Sequence, residues 1–323
     1  RVLSAMHFLV TGGAGFIGSH LVESLLGDRH DVTIFDNFND FYDPAIKRSN
    51  VAAFPARVQV VEGDIRDAVL VERTFAGNSF DCVVHLAARA GVRPSISDPK
   101  LYCTTNIDGT FNLLDACRHH GVHHVVFASS SSVYGINKKV PFSESDHIER
   151  TISPYAATKL ACEQICSNYS YLFGMRTVCL RFFTVFGPRQ RPDLAISKFT
   201  HLLLEGKPIE RYGDGSTARD YTYIDDIIQG VRASIEYDAT PFEIFNLGGS
   251  QTTTLSELIE IVQEELGVTA EVIEQADQPG DVPRTFADIG KATRLLGYQP
   301  HTAPREGIRK YIEWVRKTEQ RDG

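Results

Sequence analysis

The sequence predicts an α/β protein, a doubly wound parallel sheet with a smaller α/β domain at its C-terminal side. Three observations carry that prediction. Short apolar runs alternate with helix-period stretches through the first half of the chain, the pattern of a parallel sheet with crossover helices. The first run, His7–Val10, leads straight into the glycine-rich TGGAGFIG and an apolar-faced helix. After residue 185 the regularity fades, and GPRQRPD, GKPIERYGDGS and QADQPGDVPR supply Pro and Gly for loops.

The strand-like runs are His7–Val10, Asp31–Phe35, Val58–Glu62, Asp81–Leu86, His124–Ser129 and Thr177–Phe182. Ser19–Leu26 and Thr104–His120 have helical spacing. Ser153 suits a helix N-cap and Pro154 the first helical position. Residues 1–185 are therefore predicted to form a dinucleotide-binding (Rossmann) domain, and 186–323 the smaller substrate domain. A strand near 243–247 is predicted to return to the first domain.

Composition narrows the function classes. The 323 residues are 42% hydrophobic and 23% charged, ordinary values for a globular protein. The net charge is −8 and the basic residues are scattered, so nucleic acid is not an expected partner. No apolar run is long enough to cross a bilayer. The opening RVLSAMHFLVTGGAGFIG does not read as a secretory signal, because its apolar stretch runs into the glycine loop. The six cysteines contain no C-x-x-C, and Cys82 and Cys179 lie in apolar strand-like runs. Buried thiols in a cytoplasmic protein are the expectation. His119, His120, His123 and His124 flank Gly121, where they suit a helix C-terminus; no metal site is expected.

Four glycines, Gly12, Gly13, Gly15 and Gly18, follow the first strand. They allow a tight turn, close approach of a diphosphate and tight packing of the next helix, whose free amides face the phosphates. The second strand ends in Asp36, followed by Asn37. An acidic residue there can take both ribose hydroxyls of NAD, whereas an arginine at the next position would suit NADP.

In SPYAATK, Tyr155 and Lys159 are four residues apart, on one helical face. A phenol with a pKa near 10 is a poor base. A neighbouring ammonium and an oxidised nicotinamide favour the phenolate, giving a proton acceptor usable near neutral pH. The fifth strand ends in Ser129, Ser130, Ser131 and Ser132, on the edge where open α/β sheets bind ligands. One serine is expected to hold the substrate oxygen, and another to bond the backbone of its own turn.

With these residues in hand the chain resembles the extended short-chain dehydrogenase/reductases. Within them it resembles the nucleotide-sugar 4-epimerases, most closely those acting on UDP-glucuronate. The resemblance spans nearly the whole chain and rests on TGGAGFIG, GDIRD, VVHLAA, SSSSVYG, SPYAATK, LRFFTVFGP, ARDYTYIDD and FNLGG. The substrate class rests on DNFNDFYDPAIKR, AARAGVRPSI and FFTVFGPRQRPD. The resemblance implies bound NAD, with Tyr155, Lys159 and Ser130 catalytic. It implies cofactor contacts from Gly12, Gly15, Phe16, Ile17, Gly18, Asp36 and Asn37. Asp64 and Ile65 would hold the adenine, and Leu86, Ala87, Ala88 and Ala90 would pass along the cofactor. A UDP-sugar would meet Arg93, the serines 130–132, Thr184 and Arg191, with Arg219 and Arg284 on its diphosphate.

Related 4,6-dehydratases carry Asp-Glu, and UDP-glucuronate decarboxylases carry Glu at the second position, where this chain has Ser131-Ser132. Oxidation at C4 followed by re-reduction on the other face is therefore the expected chemistry. The rivals are a neutral UDP-sugar epimerase, the decarboxylase, and a non-catalytic NAD-binding protein. The apolar faces of Thr104–His120 and of the helix from Pro154 correspond to helices that pair in this family, so a homodimer is expected.

Overall fold

The computed structural model describes residues 5–276 and 282–322. The first part runs β1 (His7–Thr11), α1 (Phe16–Gly27), β2 (Asp31–Asp36), α2 (Pro44–Ala52), β3 (Gln59–Glu62), α3 (Ala68–Ala76) and β4 (Cys82–His85). Two short helices, α4 (Val92–Ser97) and α5 (Pro99–Tyr102), precede a π-helical turn at Cys103–Asp108. Then come α6 (Gly109–His119), β5 (His124–Ser130), a 3-10 turn at Ser131–Tyr134, α7 (Pro154–Phe173) and β6 (Arg176–Phe182).

The later part runs β7 (Thr184–Phe186), α8 (Ala195–Leu204), β8 (Ile209–Tyr212), β9 (Ala218–Arg219), β10 (Tyr221–Tyr223), α9 (Ile224–Glu236) and β11 (Phe242–Leu247). It ends with β12 (Thr253–Thr254), α10 (Leu255–Leu266), β13 (Val272–Gln275), α11 (Gly290–Leu296) and α12 (Pro304–Asp322). Seven strands form one parallel sheet in the order β11-β6-β5-β4-β1-β2-β3. Three two-stranded pairs, β10–β7, β12–β9 and β13–β8, complete the remainder.

The inner strands of this parallel sheet are apolar on both faces, as helices covering both sides require. Val10, Val84, Val126 and Leu180 pack into one layer, and Leu9, Val83, Val125 and Cys179 into the other. Burying each such side chain contributes about 1.5–3 kcal/mol. The cysteines are all unpaired, with Cys103 exposed and the other five buried.

Thr104–His120 is helical to His119 but not α-helical throughout. The π turn occupies its first part and α6 starts at Gly109. The wider turn aims Asn106 at the loop after β4: its Oδ1 accepts from Arg89 N at 2.8 Å, and its Nδ2 donates to Arg89 O at 3.1 Å. Gly109 admits the close approach of Ile65, since a Cβ there would lie 2.6 Å from the Ile65 side chain. The histidines divide. His120 bonds Glu72 at 2.7 Å. His124 is buried against Arg176 at 2.8 Å, and burial pushes its imidazole down to about 3. Among the described residues no helix is long and apolar enough to cross a membrane, and no group of three His, Cys, Asp or Glu could hold a metal.

Candidate active site

A crevice of about 470 Å³ opens at the carboxyl ends of β1, β2, β4, β5 and β6. Its floor is the loop between β1 and α1, with Gly12, Gly15, Phe16, Ile17 and Gly18 lining it. Two of these positions need glycine. Gly12 has φ +69°, and a Cβ there would lie 2.8 Å from Ala87 N. A Cβ on Gly18 would lie 2.1 Å from Gly12 O. Gly15 precedes α1 with no side-chain cap, so the first-turn amides remain available to an anion.

At the far end of β2, Asp36 and Asn37 line the crevice. Asp36 is 4% exposed. Its Oδ1 accepts from Phe38 N at 2.9 Å and from Lys47 Nζ at 3.1 Å, and its Oδ2 from Ala14 N at 3.3 Å. Ile65 lines the crevice but Asp64 does not. Asp64 is taken by Arg66, at 2.9 and 2.8 Å, and by Asn37 at 3.0 Å. The Arg66 bonds hold its carboxyl at about 2, against the cost of burial. Leu86, Ala87, Ala88 and Ala90 form the wall from the loop after β4.

Tyr155 and Lys159 enter from the first turns of α7. Ser153 Oγ caps that helix by accepting from Ala156 N at 3.1 Å. Lys159 is 3% exposed and donates to Ala128 O at 2.6 Å, with Nζ 6.0 Å from the Tyr155 ring centre. The four serines separate by task. Ser129 Oγ turns inward and donates to Glu163 Oε1 at 2.5 Å. Ser130 Oγ accepts from Ser132 N at 3.2 Å and from Ser132 Oγ at 2.9 Å. The serine at the position assigned to catalysis is thus also the cap of its own 3-10 turn. Ser131, Ser132 and Thr184 line the same end. Arg191 reaches it too, forked onto Asp193 at 2.8 and 2.8 Å and stacked 5.3 Å over the Phe41 ring.

A second cavity of about 310 Å³ adjoins the first through Thr184, Val185 and Leu194. Arg93 and Arg219 line it. Arg93 stacks 5.5 Å over Tyr212, and Arg219 Nη1 donates to Val282 O at 2.8 Å. Arg284 lines neither cavity; it bridges to Ala218 beside Arg219.

Four positions on these walls escape sequence reading. Lys47 and Tyr42 enter the dinucleotide end from the segment after β2. Thr105, in the π turn, lines the crevice with a buried Oγ1 that has no bonding partner. Gln190 lines the second cavity, buried, with both amide atoms unpartnered. Only DNFNDFYDPAIKR carried a signal, and it pointed to the substrate rather than to Lys47.

The residues fit NAD. Gly12 and Gly18 leave no room for a Cβ in the turn, Thr105 lines the crevice and its buried hydroxyl has no partner, and an acid closes the ribose end. A parallel sheet ending in this cradle, opposite a Tyr–Lys pair on one helix, defines an extended short-chain dehydrogenase/reductase. Residues 9–311 match the family model described as GDP-mannose 4,6 dehydratase, and the chain belongs to that family. A UDP-glucuronate 4-epimerase of Arabidopsis thaliana is 42% identical over 325 residues, covering 95% of this chain and 76% of the relative. The UDP-glucuronic acid 4-epimerase of Bacillus cereus, solved with UDP-glucuronic acid and NAD, is 36% identical with a TM-score of 0.90. That match covers 97% of this chain and 100% of the other. The UDP-glucose 4-epimerase of Thermotoga maritima, solved with UDP-glucose, is 33% identical with a TM-score of 0.90, covering 97% and 100%.

Proposed function

We propose that this protein carries NAD and inverts C4 of a UDP-sugar, with UDP-glucuronate and UDP-galacturonate as the interconverting pair. The relatives' activities support the epimerase class. One observation favours simple epimerisation over elimination or decarboxylation. Asp36, at the ribose end, is the single acidic residue lining the main crevice among the described residues. Around Tyr155 the crevice is lined by hydroxyls, Lys159 and Arg191, and the nearby Asp193 carboxylate is engaged by Arg191, so none stands free to assist loss of water or CO₂.

The glycine loop, Asp36, Ile65, Thr105 and the wall at residues 86–90 hold the cofactor in this reading. NAD, when bound, supplies a reversible two-electron acceptor for the hydrogen on C4. Tyr155 accepts the C4 hydroxyl proton and later returns it. Lys159 stands on the same helical face as Tyr155, and its bond to Ala128 O fixes its position. Ser130 orients the C4 oxygen. Ser131 and Thr184 donate to the substrate carboxylate, joined by Ser132 when its hydroxyl turns away from Ser130. Arg191 keeps its Asp193 fork through Nε and Nη2 and offers Nη1 to the substrate carboxylate, which restrains a β-keto acid from decarboxylating. Arg93, Arg219 and Gln190 serve the nucleotide in the adjoining cavity.

Incubation with UDP-glucuronate, UDP-glucose and UDP-N-acetylglucosamine, read by NMR with CO₂ monitored, tests this reading. Conversion of the acid without CO₂ release supports it. Preference for UDP-glucose moves the assignment to the neutral-sugar epimerases, and stoichiometric CO₂ moves it to a decarboxylase.

A further inference from the structure

The unabsorbed feature of the cofactor end is the buried pair Asp36–Lys47. Its side chains are 3% and 9% exposed, and Nζ lies 3.1 Å from Oδ1. Lys47 comes from α2, eleven residues beyond Asp36. Asn50, one turn further along the same helix, donates to Ala14 O at 3.0 Å. One face of α2 therefore docks on the glycine loop and carries an ammonium into the ribose end of the crevice.

Acceptor capacity on Asp36 is nearly used. A carboxylate offers about four acceptor sites. Phe38 N and Lys47 take Oδ1, and Ala14 N takes Oδ2. One site is left, so Asp36 can receive one ribose hydroxyl rather than two. Lys47 carries three N–H donors, of which one is committed to Asp36. Lys47 lines the crevice beside Asp36, with two donors not used on that carboxylate.

We propose that Lys47 is the second reader of the adenosine ribose and a cofactor-specificity residue. It donates to the hydroxyl that Asp36 cannot accept from, and Asp36 masks its charge. The mask has a consequence. A cation near the ribose is what a 2′-phosphate requires, and here it comes from α2 rather than from the position after the acid, which is Asn37. Removing the Asp36 charge would unmask a site for NADP.

The inference rests on the dinucleotide reading above, and the test separates the two. Wild type, Lys47→Met, Asp36→Asn and the double variant are equilibrated with equimolar NAD and NADP. Retained dinucleotide is identified by mass spectrometry, and each affinity is measured by calorimetry. Wild type retains NAD. Asp36→Asn shifts the NAD:NADP affinity ratio at least a hundredfold toward NADP, and adding Lys47→Met reverses at least tenfold of that shift. Lys47→Met alone weakens NAD about tenfold, the scale of one charge-assisted hydrogen bond, without improving NADP. A merely structural lysine would lower both affinities equally, and an unchanged ratio in the double variant relative to Asp36→Asn overturns the proposal. Lys47→Arg, which keeps the charge, retains the Asp36→Asn shift; its loss overturns the proposal too. Retention of neither dinucleotide by wild type sinks the cofactor reading itself, and this proposal with it.

Discussion

Glu163→Gln tests what holds the serine-bearing strand end in place. Glu163 is fully buried on α7; its Oε1 accepts from Ser129 Oγ at 2.5 Å and Arg181 Nε at 2.9 Å, and its Oε2 from Arg181 Nη2 at 2.8 Å. Burial opposes the charge on Arg181, but the Glu163 bonds prevail and hold it more basic than a free guanidinium. Arg181 also stacks 4.8 Å from the Tyr134 ring, while its Nη1 has no hydrogen-bond partner. Glutamine keeps the shape and one acceptor, so Ser129 and Nε remain bonded. Its amide then faces Nη2 donor to donor, and the guanidinium is left buried without a counter-charge. Breaking one side of such a pair costs about 3–5 kcal/mol. With an unfolding entropy near 2.1 cal/mol/K per residue, 323 residues give about 0.7 kcal/mol/K, so Tm falls about 4–7 °C. Scanning calorimetry at saturating NAD measures it. A fall under about 2 °C refutes the reasoning. The double variant Glu163→Leu/Arg181→Met, which removes both charges, should recover most of the loss.

Tyr155→Phe should lower turnover by at least about 10²–10⁴-fold while UDP-sugar affinity stays within a few-fold. Rates and calorimetry on one preparation decide, and near-wild-type turnover removes Tyr155 from the chemistry. Arg191→Ala should cut the preference for acid over neutral sugar by about tenfold to a hundredfold, the value of one bond to a charged group. It should also release CO₂; unchanged kcat/KM ratios count against Arg191. His85 and His124 are both pushed to about 3, chiefly by burial, so each takes up a proton on unfolding and its stabilisation is lost as pH falls below 6.5. Asp220, raised to about 6 by burial, has the opposite sign between pH 6 and 4. From pH 7 to 5 the two histidines remove about 4 kcal/mol and Asp220 returns about 1; a urea-derived stability that is flat over that range refutes the balance. We also propose a homodimer, with light scattering near twice the 35.9 kDa chain mass. The exposed Tyr171 and Leu172 on α7 are candidates for its contact, and a monomer at micromolar concentration rules it out.

Much of the fold was legible because apolar runs and glycine turns are local signals. The six anticipated strands match β1–β6 to within one or two residues at each end. The cap at Ser153 and the Tyr155–Lys159 face needed only helical spacing. What escaped depends on tertiary partners. A π turn differs from an α turn by one hydrogen-bond register, and Thr104–His120 has helical periodicity either way. The Asp36–Lys47 pair joins a strand end to a helix across a loop without periodicity. Ser129 and Ser130 are adjacent and chemically alike, and only the Glu163 carboxylate beneath the first separates their tasks. Arg284 resembled the other arginines in sequence, yet its segment pairs with Ala218 rather than lining a cavity.

The position of β11 governs how the chain can be made. Its six residues pair along β6, from Phe242 against Thr177 to Leu247 against Phe182. During synthesis β6 therefore waits for some sixty further residues before its outer edge is covered, with the Val178 and Leu180 side chains as interior surface and the backbone groups of Thr177, Cys179 and Arg181 unpaired on that edge. A growing chain in that interval presents a ready template for a second copy. The sheet's first six strands are thus complete in sequence by residue 185 but not in hydrogen bonds, so a fragment cut there should aggregate.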